Sequence, residues 1–169
     1  MSNKNSIEWA YNELSISVIK DDKEALESLF DLSIDLEDNE DNSPLTFSNH
    51  LPVPTILVDN HDKLDNMSID ENMKYCGFEN IYAYTLATWG CIYDATEVTS
   101  LQVDDKNLYY EFKTRAKPPI AWLKEMSAMY PEMMFELHTN NEFELWEEFE
   151  VVYINGQEVV FEYKKKQAK

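Results

Sequence analysis

Polar and apolar side chains alternate near the start of the chain. Residues 12–18 (NELSISV) carry an apolar side chain at every second position, which predicts a half-buried first strand. After Asp21 and Asp22, apolar residues recur at helical spacing as far as about Leu32. The two aspartates can cap this helix because their side chains accept hydrogen bonds from the free N–H groups of its first turn.

The middle of the chain has the pattern of a hairpin followed by a helix. Residues 96–103 and 108–114 are rich in β-branched and aromatic side chains, and the polar residues 104–107 between them are typical of a hairpin turn. Two prolines at 118–119 suit the first turn of a helix, where no N–H group is needed. Apolar residues then recur at helical spacing over residues 120–130.

A second hairpin is predicted at the C-terminal end. Residues 133–139 form one further strand, and residues 143–163 hold two β-rich arms on either side of Asn155 and Gly156. An Asn-Gly pair is the preferred type I′ turn because both central residues must accept positive φ. The chain has only three glycines, so one at this position is informative.

Two acidic segments and a basic tail lack a strand or helix pattern of apolar residues. Residues 35–43 and 57–72 are polar and acidic, and we interpret both as exposed loops. Residues 164–169 form a basic tail. No repeat or linker divides the chain, so residues 1–169 are expected to form a single domain.

The order of the elements predicts the fold class. A strand and a helix are followed by a proline-containing extended segment (residues 45–53), a hairpin, a helix, a strand and a second hairpin. This order favours an α+β fold with a ferredoxin-like antiparallel sheet, helices on one face and an added C-terminal hairpin.

The net charge disfavours some classes of function. There are 33 acidic residues against 14 basic ones, which gives a formal net charge of −19. Such a surface repels phosphate backbones and anionic lipid heads, so direct binding of nucleic acid or of a membrane is disfavoured. Two interpretations are left open: the charge serves solubility, or it attracts a strongly basic protein partner.

The most suggestive carboxylates lie on the predicted strand arm near the C-terminal end. There, alternation places several of them on one side of the strand and aromatic side chains on the other. A solvated face of a half-buried strand also explains this pattern. If the acids do bind a partner, strand residues are better candidates than loop residues, because ordering a loop costs entropy. The candidate partner-binding residues are Glu142, Glu144, Glu147, Glu148 and Glu150.

A second candidate site surrounds the Trp-Gly pair at 89–90. Trp89, Tyr93 and Asp94 could line a ligand pocket. The alternative is that Trp89 fills the core and Gly90 provides a backbone angle that other residues rarely adopt. No motif predicts a catalytic residue, a metal site or a cofactor. The separate Cys76 and Cys91 form no CxxC pair, which suits a reducing cytoplasm.

Several short segments resemble the YubB ferredoxin-like family of plasmid and phage proteins. Residues 88–94 (TWGCIYD) resemble the family signature Asn-Trp-Gly-Thr-Lys-Trp-Asp, and residues 9–17 resemble its opening strand. Residues 45–54 resemble its proline-containing segment, and residues 112–119 with Tyr130-Pro131 complete the set. The resemblance implies a ferredoxin-like fold and an origin on a mobile element in a bacterial host, but no known reaction.

These observations lead to two hypotheses from different classes. The first is a non-enzymatic phage or plasmid protein in the host cytoplasm, whose acidic surface inhibits a nucleic-acid-binding defence enzyme of the CRISPR or restriction type by mimicking nucleic acid. The second is a small-molecule or nucleotide-binding protein with its pocket near Trp89. Saturable binding of a nucleotide would favour the second hypothesis.

The turn prediction can be tested directly. Replacing Gly156 with Val should lower the free energy of unfolding by about 1–2 kcal/mol, because a β-branched residue resists positive φ. Urea denaturation of both proteins would measure the loss. Equal stability would mean that the turn is not of type I′.

Overall fold

Strand β1 (Trp9–Val18) lies in the interior of a six-stranded antiparallel sheet. The computed structural model describes residues 9–37, 40–63, 65–141 and 148–164. The other elements, in chain order, are α1 (Lys23–Asp35), α2 (Thr55–Asp59), α3 (Asn66–Cys76), α4 (Ile81–Thr88), β2 (Thr96–Asp104), β3 (Asn107–Arg115), α5 (Ile120–Met129), β4 (Met133–Asn141), β5 (Glu148–Ile154) and β6 (Gln157–Lys164).

The strands lie in the order β2-β3-β1-β4-β5-β6, and every neighbouring pair is antiparallel. The first four strands in this order, with α1 and α5 as connections, have the βαββαβ arrangement of ferredoxin-like folds. The hairpin of β5 and β6 extends the sheet beyond β4. The predicted α+β class with an added C-terminal hairpin is therefore confirmed.

One face of the sheet carries the hydrophobic core. Leu14 and Ile16 of β1 are fully buried, and they belong to one cluster with Leu32 of α1 and with Trp122 and Met126 of α5. Helices α1 and α5 thus cover the same face, as predicted. The side chains between these core positions along β1 are exposed or half-buried on the opposite face.

The predicted caps and turns are present. The Asp22 side chain accepts a hydrogen bond from the Ala25 N–H group at 3.0 Å and begins α1, which continues to Asp35. Asn155 and Gly156 have φ values of 49° and 71°, so both central turn residues adopt positive φ as predicted. A Cβ on Gly156 would also lie 3.0 Å from the Ala128 Cβ, which adds a steric cost to substitution there.

The predicted acidic loop at residues 57–72 is wrong in part. Helix α2 ends at Asp59, and α3 begins at Asn66. Asp65 caps α3 by accepting a hydrogen bond from the Ser68 N–H group at 2.8 Å, and this bond helps to lower the pKa of its carboxyl group. The buried side chains of α3 are the polar Ser68 and Asn72, so an apolar pattern could not have predicted this helix.

Residues 45–53 form no strand in the structure, although they contribute to the core. Leu45 and Phe47 are fully buried, and Phe47 packs against the ring of Trp122 with the centroids 4.7 Å apart. Of the predicted loop at residues 35–43, Asp35 belongs to α1 and residues 40–42 are exposed. Residues 38–39, and residues 165–169 of the basic tail, lie outside the described residues.

His50 joins this segment to the ends of two helices. Its Nε2 atom lies 3.2 Å from the Tyr130 hydroxyl group, which lies 3.5 Å from the Asp35 carboxylate. Burial lowers the pKa of His50 from its ordinary value of 6.5, and the charge of Asp35 opposes the shift. The folded protein therefore favours neutral His50.

This shift predicts a loss of stability in acid. The stabilisation from neutral His50 is complete above the unfolded pKa and is lost as the pH falls through the lower folded pKa. Between about pH 7 and about pH 5, wild type should lose more unfolding free energy than a His50→Gln variant. Urea denaturation across this range would measure the difference, with His61→Gln, at an exposed position, as the control. A pH-independent difference between His50→Gln and wild type would contradict the assignment.

Candidate functional site

The sheet face opposite the helices carries a row of ionisable side chains. In the strand register, Glu111 lies opposite Glu13, Glu13 lies opposite His138, His138 lies opposite Glu150, and Glu150 lies opposite Glu162. Residues opposite each other in neighbouring strands point to the same side of the sheet. The row therefore crosses five strands, with two carboxylates on each side of a central histidine.

Two further carboxylates flank this row. Glu136 and Glu148 lie two residues from His138 and Glu150 on the same strands, so their side chains emerge on the same face. We call the six carboxylates on this surface the acidic face: Glu13, Glu111, Glu136, Glu148, Glu150 and Glu162.

His138 lies between two carboxylates at the centre of the row. Its Nε2 atom lies 2.7 Å from the Glu148 carboxylate, and its Nδ1 atom lies 3.8 Å from the Glu13 carboxylate. The Glu13 side chain is still about half exposed, at 51%. The outer members of the row, Glu111 and Glu162, are exposed. The acidic face is therefore open to a partner.

A groove of about 480 Å³ extends the acidic face towards β2. Glu13, Glu97 and Glu111 line it, together with Lys113, which forms an ion pair with Glu97. Nearby, the Tyr109 hydroxyl group donates a hydrogen bond to Glu111 at 3.4 Å. Partial burial, together with the charges of Glu13 and Glu111, raises the pKa of Tyr109 to about 12. Tyr109 therefore adds a hydrogen-bond donor and no negative charge near neutral pH.

Part of the partner-binding surface predicted from the sequence belongs to this face. Glu148 and Glu150 lie on it, whereas Glu142, Glu144 and Glu147 lie outside the described residues. The prediction missed the contributions of the other strands. Glu13 occupies an outward position in the alternating pattern of residues 12–18, so its exposure could have been read from that pattern.

Trp89 lies in the hydrophobic core. Its side chain is 4% exposed, and its indole N–H group donates a hydrogen bond to the Leu51 carbonyl oxygen at 2.9 Å. Its ring meets Phe47 edge to face, with the centroids 5.9 Å apart. Gly90 has a φ of 91°, and a Cβ there would lie 3.1 Å from the backbone nitrogen of Ile120. The Trp-Gly pair thus joins the core to the start of α5.

Asp94 holds the segment that carries Phe47. Its carboxylate accepts hydrogen bonds from the N–H groups of Phe47 at 2.7 Å, Ser48 at 3.1 Å and Ala95 at 2.8 Å. Burial raises the pKa of Asp94 and outweighs the opposing effect of these bonds. The carboxylate therefore satisfies backbone donors at a half-buried turn.

Tyr93 lies at the surface, with 41% of its side chain exposed. Its ring packs against Tyr82 at a centroid distance of 6.0 Å, and the Arg115 guanidinium group lies 5.3 Å from the ring centroid. The structure thus places Trp89 in the core, Asp94 at a half-buried turn and Tyr93 at the surface. These three side chains are not brought together around one cavity.

Within the described ranges, no group of three or more His, Cys, Asp or Glu side chains is arranged to hold a metal ion. Cys76 and Cys91 are both free thiols, and burial raises the pKa of Cys91, which disfavours its reactive thiolate form. None of the described helices is long and apolar enough to cross a membrane.

Comparison with known proteins supports the fold. No protein-family model and no curated protein sequence matches this chain. The crystal structure of the protein Api92 from Yersinia pseudotuberculosis, of the family DUF1281, is similar with a TM-score of 0.55 and 9% sequence identity. The match covers 97% of this chain and 100% of that one. At this identity the similarity shows a shared fold alone, and the resemblance to the YubB family stays a prediction.

The acidic face should reduce the stability of the free protein. Like charges directly opposite each other destabilise a sheet, so replacing Glu111 or Glu162 with Gln should raise the free energy of unfolding by about 0.2–1 kcal/mol. The gain should be large in about 0.01 M salt and small in about 1 M salt, where the Debye length falls from roughly 30 Å to 3 Å.

Urea denaturation at both salt concentrations would measure this effect. Glu125→Gln, at an exposed position on α5, removes one charge away from the acidic face and serves as the control. A loss of stability in the Glu111 and Glu162 variants at low salt would show that the opposing carboxylates do not repel each other appreciably.

Proposed function

We propose that this protein is a non-enzymatic inhibitor encoded by a phage or plasmid, and that its acidic face occupies the basic channel of a nucleic-acid-binding defence enzyme in the bacterial cytoplasm. Enzymes of the CRISPR or restriction type are the proposed targets. The observation that carries the proposal is the row of carboxylates at a fixed register across five strands.

A nucleic-acid channel is a suitable partner because it presents Lys and Arg side chains to phosphates. The row places negative charges on strands about 4.8 Å apart, over a width of roughly 19 Å. The paired strands already fix these positions, so binding does not need to order a loop. An array of this kind can replace phosphates at a lower entropic cost than the acidic loops could.

The opposing carboxylate pairs add a second argument. Glu13 faces Glu111, and Glu150 faces Glu162, so each pair carries unfavourable repulsion in the free protein. A partner cation placed between two such carboxylates would replace this repulsion with attraction. The difference in free energy between the repelling pair in the free protein and the same pair around a partner cation favours binding of a basic surface.

The arrangement favours binding over catalysis. The carboxylates are spread over the strands of the face, and the two that approach His138, Glu13 and Glu148, lie on opposite nitrogens of its ring. Half-buried Asp94 already accepts hydrogen bonds from three backbone donors, and buried Cys91 favours its thiol form. We therefore assign the acidic face a role in recognition.

Charge reversal would test this proposal. A variant with Glu13, Glu111, Glu150 and Glu162 changed to Lys should lose inhibition of DNA cleavage in assays with purified restriction and CRISPR enzymes. The loss should be at least about tenfold, because close charge pairs at interfaces contribute about 1.5 kcal/mol or more each. Wild-type inhibition should also weaken steeply with added salt.

A matched control separates the acidic face from the overall charge. Changing Glu24, Asp31, Asp70 and Glu125 to Lys alters the net charge by the same amount at exposed helical positions. This control should retain inhibition to a large extent. Equal effects of the two variants, or inhibition that is indifferent to salt, would refute recognition by the acidic face.

A further inference from the structure

An apolar groove lies on the helix side of the sheet, away from the acidic face. It has a volume of about 610 Å³ and runs between the start of α5 and the C-terminal hairpin. We call it the hairpin groove. Its apolar walls include Leu86, Ile120, Ala121, Phe149, Tyr153 and Phe161. A volume of this size is typical of sites for small molecules.

The walls of the hairpin groove expose apolar side chains to solvent. Phe161 is 51% exposed and Leu86 is 40% exposed, although both are large apolar side chains. Phe161 stacks on Phe149, with ring centroids 5.3 Å apart and an interplanar angle of 29°. The stacked pair lines the groove together with Ile120 and Ala121 of α5. Covering such a surface with an apolar ligand would remove it from water.

Contacts at both ends preform the groove. At one end, the backbone N–H group of Trp122 donates a hydrogen bond to the Trp89 carbonyl oxygen at 3.1 Å. Gly90 fits closely against the start of α5. At the other end, the Gly156 N–H group donates a hydrogen bond to the Ser127 hydroxyl oxygen at 3.0 Å. The Trp-Gly segment and the C-terminal hairpin are thus both hydrogen-bonded to α5. This lowers the entropic cost of ordering the site when a ligand binds.

The charge at the groove is opposite to that of the protein as a whole. Lys117 and Lys124 both line it, and both are exposed. Neither lysine has an ion-pair partner within the described ranges, although the chain has a net charge of −19. Two cations beside an apolar wall would attract an anionic group that is attached to an apolar body.

We propose that the hairpin groove binds a small amphipathic anion, with its apolar body against Phe149, Phe161 and Ala121 and its carboxylate or phosphate group near Lys117 and Lys124. A second copy of this chain is a poorer occupant, because each copy carries a charge of −19. A bare polyphosphate is also poorer, because the groove offers two cations and a largely apolar wall.

Decanoate is a suitable probe for calorimetric titration of the full chain. We expect saturable binding at one site, with decanol about tenfold weaker because it lacks the charge that the two lysines recognise. Decyltrimethylammonium should bind more weakly still at this site. Equal binding of the anionic and cationic probes, or no binding of decanoate, would overturn the proposal.

Variants locate the site. Changing both Lys117 and Lys124 to Gln should reduce decanoate affinity to that of decanol and leave decanol binding unchanged. The matched control changes Lys23 and Lys74 to Gln, at exposed positions outside the groove, and should bind decanoate as wild type does. Loss of decanoate binding in the control but not in the groove variant would refute the assignment.

Two further variants test the apolar wall. Ala121→Phe should fill the groove, and Leu86→Asp, at a more exposed position, should repel the anion without burying a new side chain. Both should weaken decanoate binding, and thermal unfolding would show that each is folded. If the folded Leu86→Asp variant binds decanoate as wild type does, the ligand does not occupy this groove.

The last measurement distinguishes free anions from membrane lipids. Vesicles of phosphatidylglycerol should not bind the protein, because the net negative charge is repelled by an anionic surface. Vesicle binding through the groove lysines would replace the proposal with a lipid-surface function. The acidic-face charge reversals should leave decanoate binding intact, so this proposal and the proposed inhibition can fail separately.

Discussion

The pairing of β1 with β3 and β4 is the constraint on which the other features depend. Leu14 and Ile16 are fully buried beneath the helices, whereas Glu13, directly before Leu14 in β1, faces the open side of the sheet. Burying a large aliphatic side chain stabilises a protein by about 1.5–3 kcal/mol, so a one-residue slip that exposed these two would be costly. The packing of the core therefore fixes the register, and the register places Glu13 between Glu111 and His138.

The features that the sequence predicted well have local causes. Alternation within residues 12–18 depends on the period of a single strand, and Asp22 caps α1 through a bond to a residue three positions away. Asn155 and Gly156 specify their turn through their own tolerance of positive φ. Each of these signals lies within a few residues of the structure that it specifies, so the strands and the two helices that cover the sheet, α1 and α5, could be predicted in order.

The missed features have non-local or polar causes. Helix α3 is held by a buried hydrogen bond at 2.9 Å between Asn60 and Asn72, and such a contact leaves no apolar stripe in the sequence. The acidic face depends on which strands become neighbours. Glu13 and Glu111 are far apart in the chain and meet through pairing across the sheet. Alternation reveals that each is exposed, but only the strand order shows that they are opposite each other.

Strand β5 contributes to both proposed sites. Phe149 and Tyr153 line the hairpin groove on one face, and Glu148 and Glu150 belong to the acidic face on the other. The backbone hydrogen bonds of β5 to β4 and β6 fix the register of the strand. A small ligand would have to change this register to move the carboxylates, because packed elements shift between discrete arrangements and do not deform continuously. The geometry therefore favours independent binding at the two surfaces, even though their residues alternate along one strand.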